Sequence, residues 1–239
     1  MSGIAYWGEL RMITTKQIYE TRKKEVELCY SVLLDLYLDE QPNGKTMIID
    51  KTHTERFAPI LKSNILLMLY NLVEACVTSG FVEIYDSIKD NGLAYKDLIE
   101  SIRNIWSNYE IGKTRTSTST QTTYERKVRD IIATVISDSS IALTKDALAI
   151  SGNLDAKEIR RLLAGHSISI SDKTDKFNML LVKNKRNDLA HGLDSFADSA
   201  RDITIKQLAD IKEEVLNFIG EVITCMTLYY NGQLYRVRV

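Results

Sequence analysis

Proline occupies only two positions of the 239-residue chain, Pro42 and Pro59, so almost nothing in it forbids long helices. Proline removes a backbone donor and clashes with the preceding turn, which costs a helix interior about 3 kcal/mol. The apolar residues recur at the spacing that helices require. Val26, Tyr30, Leu33 and Tyr37 fall at i, i+4, i+7 and i+11, one stripe of a helix expected over residues 15–38. Gln41-Pro42-Asn43-Gly44 then turns the chain, with a short extended piece expected at 46–50. A second long helix starts near 53–59 and continues through Ile65, Leu69, Leu72 and Cys76, with Gly80 as a point of interruption and Asn91-Gly92 as its end. Further helices are expected over 95–109, 124–136, 155–163, 175–191 and 205–229, and the RVRV ending suggests a short C-terminal strand. The predicted fold is an all-α bundle of long antiparallel helices. Residues 1–239 form one domain in this reading, with a flexible Ser/Thr-rich loop at 112–123.

Charge and cysteine usage narrow the chemistry. With 31 basic and 32 acidic residues the net charge is -1, so any grip on nucleic acid must come from a local patch rather than a global field. Cys29, Cys76 and Cys225 are isolated in apolar surroundings, an odd count without CxxC spacing. That pattern speaks for free thiols in a reducing compartment, against a disulfide framework or a zinc site. Residues 1–12 lack the basic and apolar regions of a signal peptide. The apolar run 60–77 is broken by Lys62, Asn64, Asn71 and Glu74, which marks a core helix rather than a membrane span. A cytoplasmic protein without a membrane partner is expected.

One segment carries reactive chemistry. In KNKRNDLAHG, residues 183–192, the side chains of Arg186, Ala190, Lys183, Asn187 and His191 fall on one helical arc of roughly 140°. Phe177, Leu181, Val182 and Leu189 lie opposite and supply packing. Cleavage of RNA by its own 2′-hydroxyl needs a proton carrier that works near neutral pH and a cation for the charge on phosphorus. Histidine suits the first role and arginine, with its fork of donors, the second. Asn187 can orient the imidazole or hold a phosphate oxygen. With three histidines and no HExxH or paired-carboxylate spacing, neither a metal nor a cofactor is expected. The same spacing equally suits a plain helix end, with His191 beside the C-terminal dipole and Arg186 paired with Asp188 or solvated. Arg160 and Arg161 in SGNLDAKEIRRL, residues 151–162, could extend an RNA-binding surface with Lys183 and Lys185, and Asn153 could be a functional contact. A capped helix with a solvated basic end explains that block as well. His166, just past Gly165, reads as a surface residue, and His53 as a helix-entry residue.

The segment Arg186-Asn187-Asp188-Leu189-Ala190-His191 resembles the R-x4-6-H motif of the HEPN superfamily of helical ribonucleases, including the polar residue after the arginine. LKSNILLMLYNLVEA (61–75) and SGNLDAKEIRRL are similar to two further blocks of a bacterial HEPN-like nuclease family, so the likeness covers most of 61–230 and is weak over 1–50. The resemblance implies a homodimer whose two motif helices line a shared cleft, with Arg186 and His191 catalytic and Asn187 supporting. It implies a metal-independent endoribonuclease, a toxin or phage-defence effector, with RNA as substrate and an antitoxin or defence-system protein as partner. A non-catalytic HEPN module that dimerises or binds RNA or a partner is the alternative, and a helical adaptor unrelated to RNA a third. One branch of the superfamily carries a tyrosine two residues after the histidine, a target of nucleotidyl transfer. Leu193 stands there in this chain, which argues against that control.

Overall fold

The apolar run around residue 60 becomes one uninterrupted helix on which the rest of the molecule is assembled. The computed structural model describes residues 12–37, 51–113, 121–148, 150, 152–171 and 177–238. Among them, α1 spans Ile13–Tyr37, α2 Lys51–Asp90, α3 Glu100–Gly112 and α4 Gln121–Ile136. Then come α5 over Ala156–Gly165, α6 over Phe177–Ala190, α7 over Phe196–Ser199 and α8 over Ile205–Asn231. The expected piece at 46–50 lies outside the described residues.

Neither Pro59 nor Gly80 breaks α2. Ala58 and Leu61 are buried on either side of Pro59, so packing outweighs the one hydrogen bond that proline removes. Gly80 is a contact glycine. A Cβ there would lie 2.6 Å from Met226 Sδ, so the missing side chain lets α8 approach. By length and composition residues 53–90 could cross a membrane, yet Ile65, Leu69, Leu72, Cys76, Phe81 and Ile84 are buried within the protein. A helix apolar on most sides needs cover on most sides. α1 runs antiparallel to it, with Thr15 bonded to Ser79 and Glu83 and Arg22 to the Asn71 carbonyl. α8 runs alongside in the same sense as α2, since Lys62 meets residues 201 and 203 while Ser87 meets Tyr235.

The polar interruptions of α2 have structural uses. Lys62 is buried, and burial lowers its pKa. Its ammonium donates to the Ile203 carbonyl at 2.6 Å and to that of Arg201 at 3.3 Å. Ser63 Oγ donates to the Phe196 carbonyl at 2.7 Å. Ser63 thereby ties α2 to the start of α7, and Lys62 ties it to the α7–α8 connection.

Three further expectations are corrected. The Ser/Thr-rich loop is shorter than 112–123: α3 runs to Gly112 and α4 begins at Gln121, helped by a Gln121–Glu125 bond one turn apart, while 114–120 lie outside the described residues. The C-terminal segment forms no strand among the described residues, only a single bridge between Leu98 and Arg236. Its partner is a two-residue extended stretch, Leu98 and Ile99, between the 3₁₀ turn at Tyr95–Asp97 and α3, too short for a strand. The third correction is His166, which is buried rather than on the surface. Its Nδ1 lies 2.7 Å from the Leu162 carbonyl and its Nε2 2.6 Å from Tyr85 Oη, with Phe81 stacked at 4.2 Å. A carbonyl can only accept, so Nδ1 carries the proton and Nε2 accepts from the tyrosine hydroxyl. Burial lowers the His166 pKa to about 4. The unfolded imidazole therefore takes a proton first. Stability is complete above the ordinary value of about 6.5 and falls as the pH drops from there toward 4. The loss is on the order of 3 kcal/mol. Urea unfolding at pH 7 and pH 4.5 is expected to show it, and His166→Gln, which does not titrate, to flatten the slope.

Candidate active site

The motif helix α6 ends by a defined device. Gly192 takes φ +67°, its N–H bonds the Leu189 carbonyl at 3.2 Å, and the Leu193 N–H bonds that of Asp188 at 2.8 Å. This left-handed stop is open to glycine and strained for other residues. It leaves His191 as the exposed residue at the helix end, with no hydrogen-bond partner for its imidazole among the described residues. α6 is held by Met179 and Val182, both buried, with Leu181 and Leu189 half-buried. Phe177, expected to help pack it, is 73% exposed. As the first residue of α6 its side chain leans past the helix start.

Arg186 turns toward the body of the protein. Its guanidinium lies 4.8 Å over the ring of Tyr70, which α2 supplies. Nη1 donates to the Gly152 carbonyl at 3.3 Å and to Asn187 Oδ1 at 3.0 Å. Asn187 Nδ2 donates in turn to Asn153 Oδ1 at 2.7 Å. The Tyr70 hydroxyl donates to the same Gly152 carbonyl and accepts from the Leu154 N–H at 3.3 Å. Gly152 has φ +70°, and a Cβ on it would stand 3.6 Å from Arg186 Nη2. The block around Asn153 is therefore packed directly on the motif arginine. Arg186 and Asn187 are brought together, and Asp188 makes no ion pair with Arg186 among the described residues. His191 lies five residue steps after Arg186, about 7.5 Å along the axis and about 140° around it.

The other basic residues have partners of their own. Lys183 is bound to Asp155 at 2.7 Å, Lys185 to Asp194 at 3.4 Å and Arg161 to Glu158 at 2.6 Å. Arg160 lies 5.2 Å over the Phe218 ring. A phosphate approaching Lys183, Lys185 or Arg161 must compete with a carboxylate already in place. Asp155 does two jobs, since Oδ1 caps α5 by accepting from the Glu158 N–H at 2.9 Å while Oδ2 holds Lys183. Burial alone would raise the Asp155 carboxyl; Lys183 and the backbone N–H groups outweigh it and hold the pKa below the ordinary value. Among the described residues no three His, Cys, Asp or Glu side chains cluster as a metal site. All three cysteines are free, and burial pushes the Cys76 thiol up to about 12.

Tyr70 and Gly152 were not singled out by the sequence. Tyr70 reads there as one more apolar position of a core helix, and it stands 82 residues from Gly152. The Gly-Asn pair just before a capped helix was the available signal.

A bundle of helices with an R-x4-H motif closing one of them defines a HEPN-type protein, a class of nucleases and RNA-binding modules. The family model described as MAE_28990-like HEPN matches residues 16–235, and the chain belongs to that family. No curated protein and no solved structure matches it.

Asp155→Ala removes the cap and the Lys183 partner, and is expected to cost about 1–2 kcal/mol at neutral pH. The depressed carboxyl stabilises the fold above its unfolded value of 3.8 and ceases to do so as the pH falls through the folded one. The gap between variant and wild type in chemical denaturation should therefore close in acid.

Proposed function

We propose that this protein is a metal-independent endoribonuclease of the HEPN type, working as a symmetric dimer. The observation that carries the reading is the family match over 16–235 together with an intact Arg186/His191 pair at the exposed end of α6. In the reaction the 2′-hydroxyl of RNA loses its proton to a base and attacks the adjacent phosphorus. A 2′,3′-cyclic phosphate forms, and the 5′-oxygen leaves with a proton from an acid. His191 is the proton carrier, and Arg186 stabilises the extra negative charge on the pentavalent phosphorus. The RNA-contacting roles of Lys183, Lys185, Arg160 and Arg161 are secondary in this reading. A toxin or phage-defence role in the cytoplasm, with an antitoxin or other partner, is the setting the family resemblance suggests.

Two observations support the dimer. The motif of one chain offers a single imidazole, His191, so a base on one side and an acid on the other call for a second copy. Leu193 is 74% exposed and Phe196 39%, an apolar border beside His191 that an isologous contact would cover. The alternative, a non-catalytic module that holds RNA or a partner, is favoured by the engagement of Arg186 with Tyr70 and Gly152.

Kinetics separate the two. His191→Ala and Arg186→Ala are each expected to reduce RNA cleavage by at least about 100-fold with unchanged circular dichroism. Cleavage by wild type should persist in excess EDTA and leave cyclic phosphate ends. Full activity in either variant, or a magnesium requirement with 5′-phosphate products, refutes the mechanism.

The shared cleft has its own test. Ala190 is exposed on the motif arc, where a small residue permits close approach. Ala190→Trp is expected to lower dimer mass in light scattering and specific activity together, while the monomer stays folded. A folded monomer with full specific activity would exclude the shared cleft.

A further inference from the structure

The loop that precedes α5 has no assigned role, yet its polar atoms are matched one by one to those of the motif arginine. The direction of each hydrogen bond is fixed by chemistry. Arg186 has only donors, so the Asn187 atom 3.0 Å from Nη1 is the amide oxygen. That turns the Asn187 NH2 toward Asn153, whose facing atom at 2.7 Å must then accept and is also the oxygen. The Gly152 carbonyl takes the second Nη1 hydrogen and the Tyr70 hydroxyl, which fills both of its lone pairs. Both hydrogens of Nη1 are thereby used. Nη1 lies on the Cδ side of the guanidinium, so the edge left over is the one formed by Nε and Nη2. These two nitrogens meet no acceptor among the described residues, and together they form the two-pronged donor edge that fits two oxygens of one phosphate.

We infer that Asn153 is a positioning residue for Arg186: through Asn187 it fixes the guanidinium on Tyr70 by its Nη1 corner, so that the Nε/Nη2 edge is presented to a substrate phosphate. The block at 151–162 thereby acts as the mount of the arginine, with its own basic residues outside that task. Gly152 is part of the mount for a conformational reason as well. Its φ of +70° disfavours any side chain, and a Cβ there would sit in van der Waals contact with Nη2 at 3.6 Å, against the presented edge. The kinetic part of this inference rests on the ribonuclease reading; the structural part does not.

The test compares full-length wild type, Asn153→Ala, Asn153→Asp and His191→Ala. Asn153 is an exposed loop side chain, so the variants are expected to fold, with circular dichroism as the check. In arginine-labelled protein without RNA, the Nη protons of Arg186 should give separate NMR signals in wild type, because rotation about Nε–Cζ is hindered. They should merge in Asn153→Ala and separate again in Asn153→Asp, whose carboxylate still accepts from Asn187. On an RNA substrate, kcat of Asn153→Ala should fall about 100-fold, as for a small misplacement of a catalytic group. Asn153→Asp should recover most of kcat with a raised KM, since its charge repels the backbone. Unchanged Arg186 signals in Asn153→Ala overturn the inference. So does wild-type kcat in that variant while His191→Ala is inactive. If wild type cleaves no RNA, or His191→Ala cleaves as wild type does, the ribonuclease reading fails, and the NMR comparison alone decides whether Asn153 holds the arginine.

Discussion

The burial of α2 along most of its length is the constraint on which everything else depends. A 40-residue helix with apolar side chains on several faces cannot be left in water, and it is too long for one neighbour to cover. α1 and α8 cover much of it, and α6 and α7 lie along part of the remainder. The polar residues that α2 carries are placed where these neighbours end or begin. Lys62 holds the entry to α8, Ser63 the start of α7, and Glu83 receives the first turn of α1. An N-terminus of a helix, with its unpaired N–H groups, is a favourable place for such a carboxylate.

The candidate site inherits its order from the same helix. Tyr70 is a core residue by burial, yet its ring carries the Arg186 guanidinium and its hydroxyl holds the Gly152–Leu154 backbone. A stacked, hydrogen-bonded arginine has little freedom left to lose when an anion arrives, so binding costs less entropy. His191 is built differently. It stands one residue past the end of α6 on an open surface, where a second molecule can reach it.

Much of this was legible in the sequence because it is local. The helix periods, the capped start of α5 and the arc from Lys183 to His191 depend on residues within a few turns of each other. What escaped was set by distant contacts. Gly80 reads as a helix breaker, since the sequence does not reveal that Met226 will fill the space beside it. His166 follows a glycine and reads as exposed; only the packing of α5 on Phe81 and Tyr85 buries it. The RVRV ending alternates as a strand does, but a strand needs a long extended partner, and only Leu98 and Ile99 are extended between a 3₁₀ turn and α3. The pairing of Asn187 with Asn153 joins residues 34 apart, and no periodicity predicts it.

The close approach of α2 and α8 also bears on how the molecule meets oxidants. Met226 is fully buried, and its sulfur occupies the space that a side chain on residue 80 would need. A sulfoxide oxygen at that sulfur would be both larger and polar, in a seam where the two helices pack closely. The folded protein thus shields the thioether by burying it. Oxygen can be added only during an opening of the two helices, and once added it would hinder their return. The oxidation state of this one methionine would therefore keep a record of how often the centre of the protein has come apart.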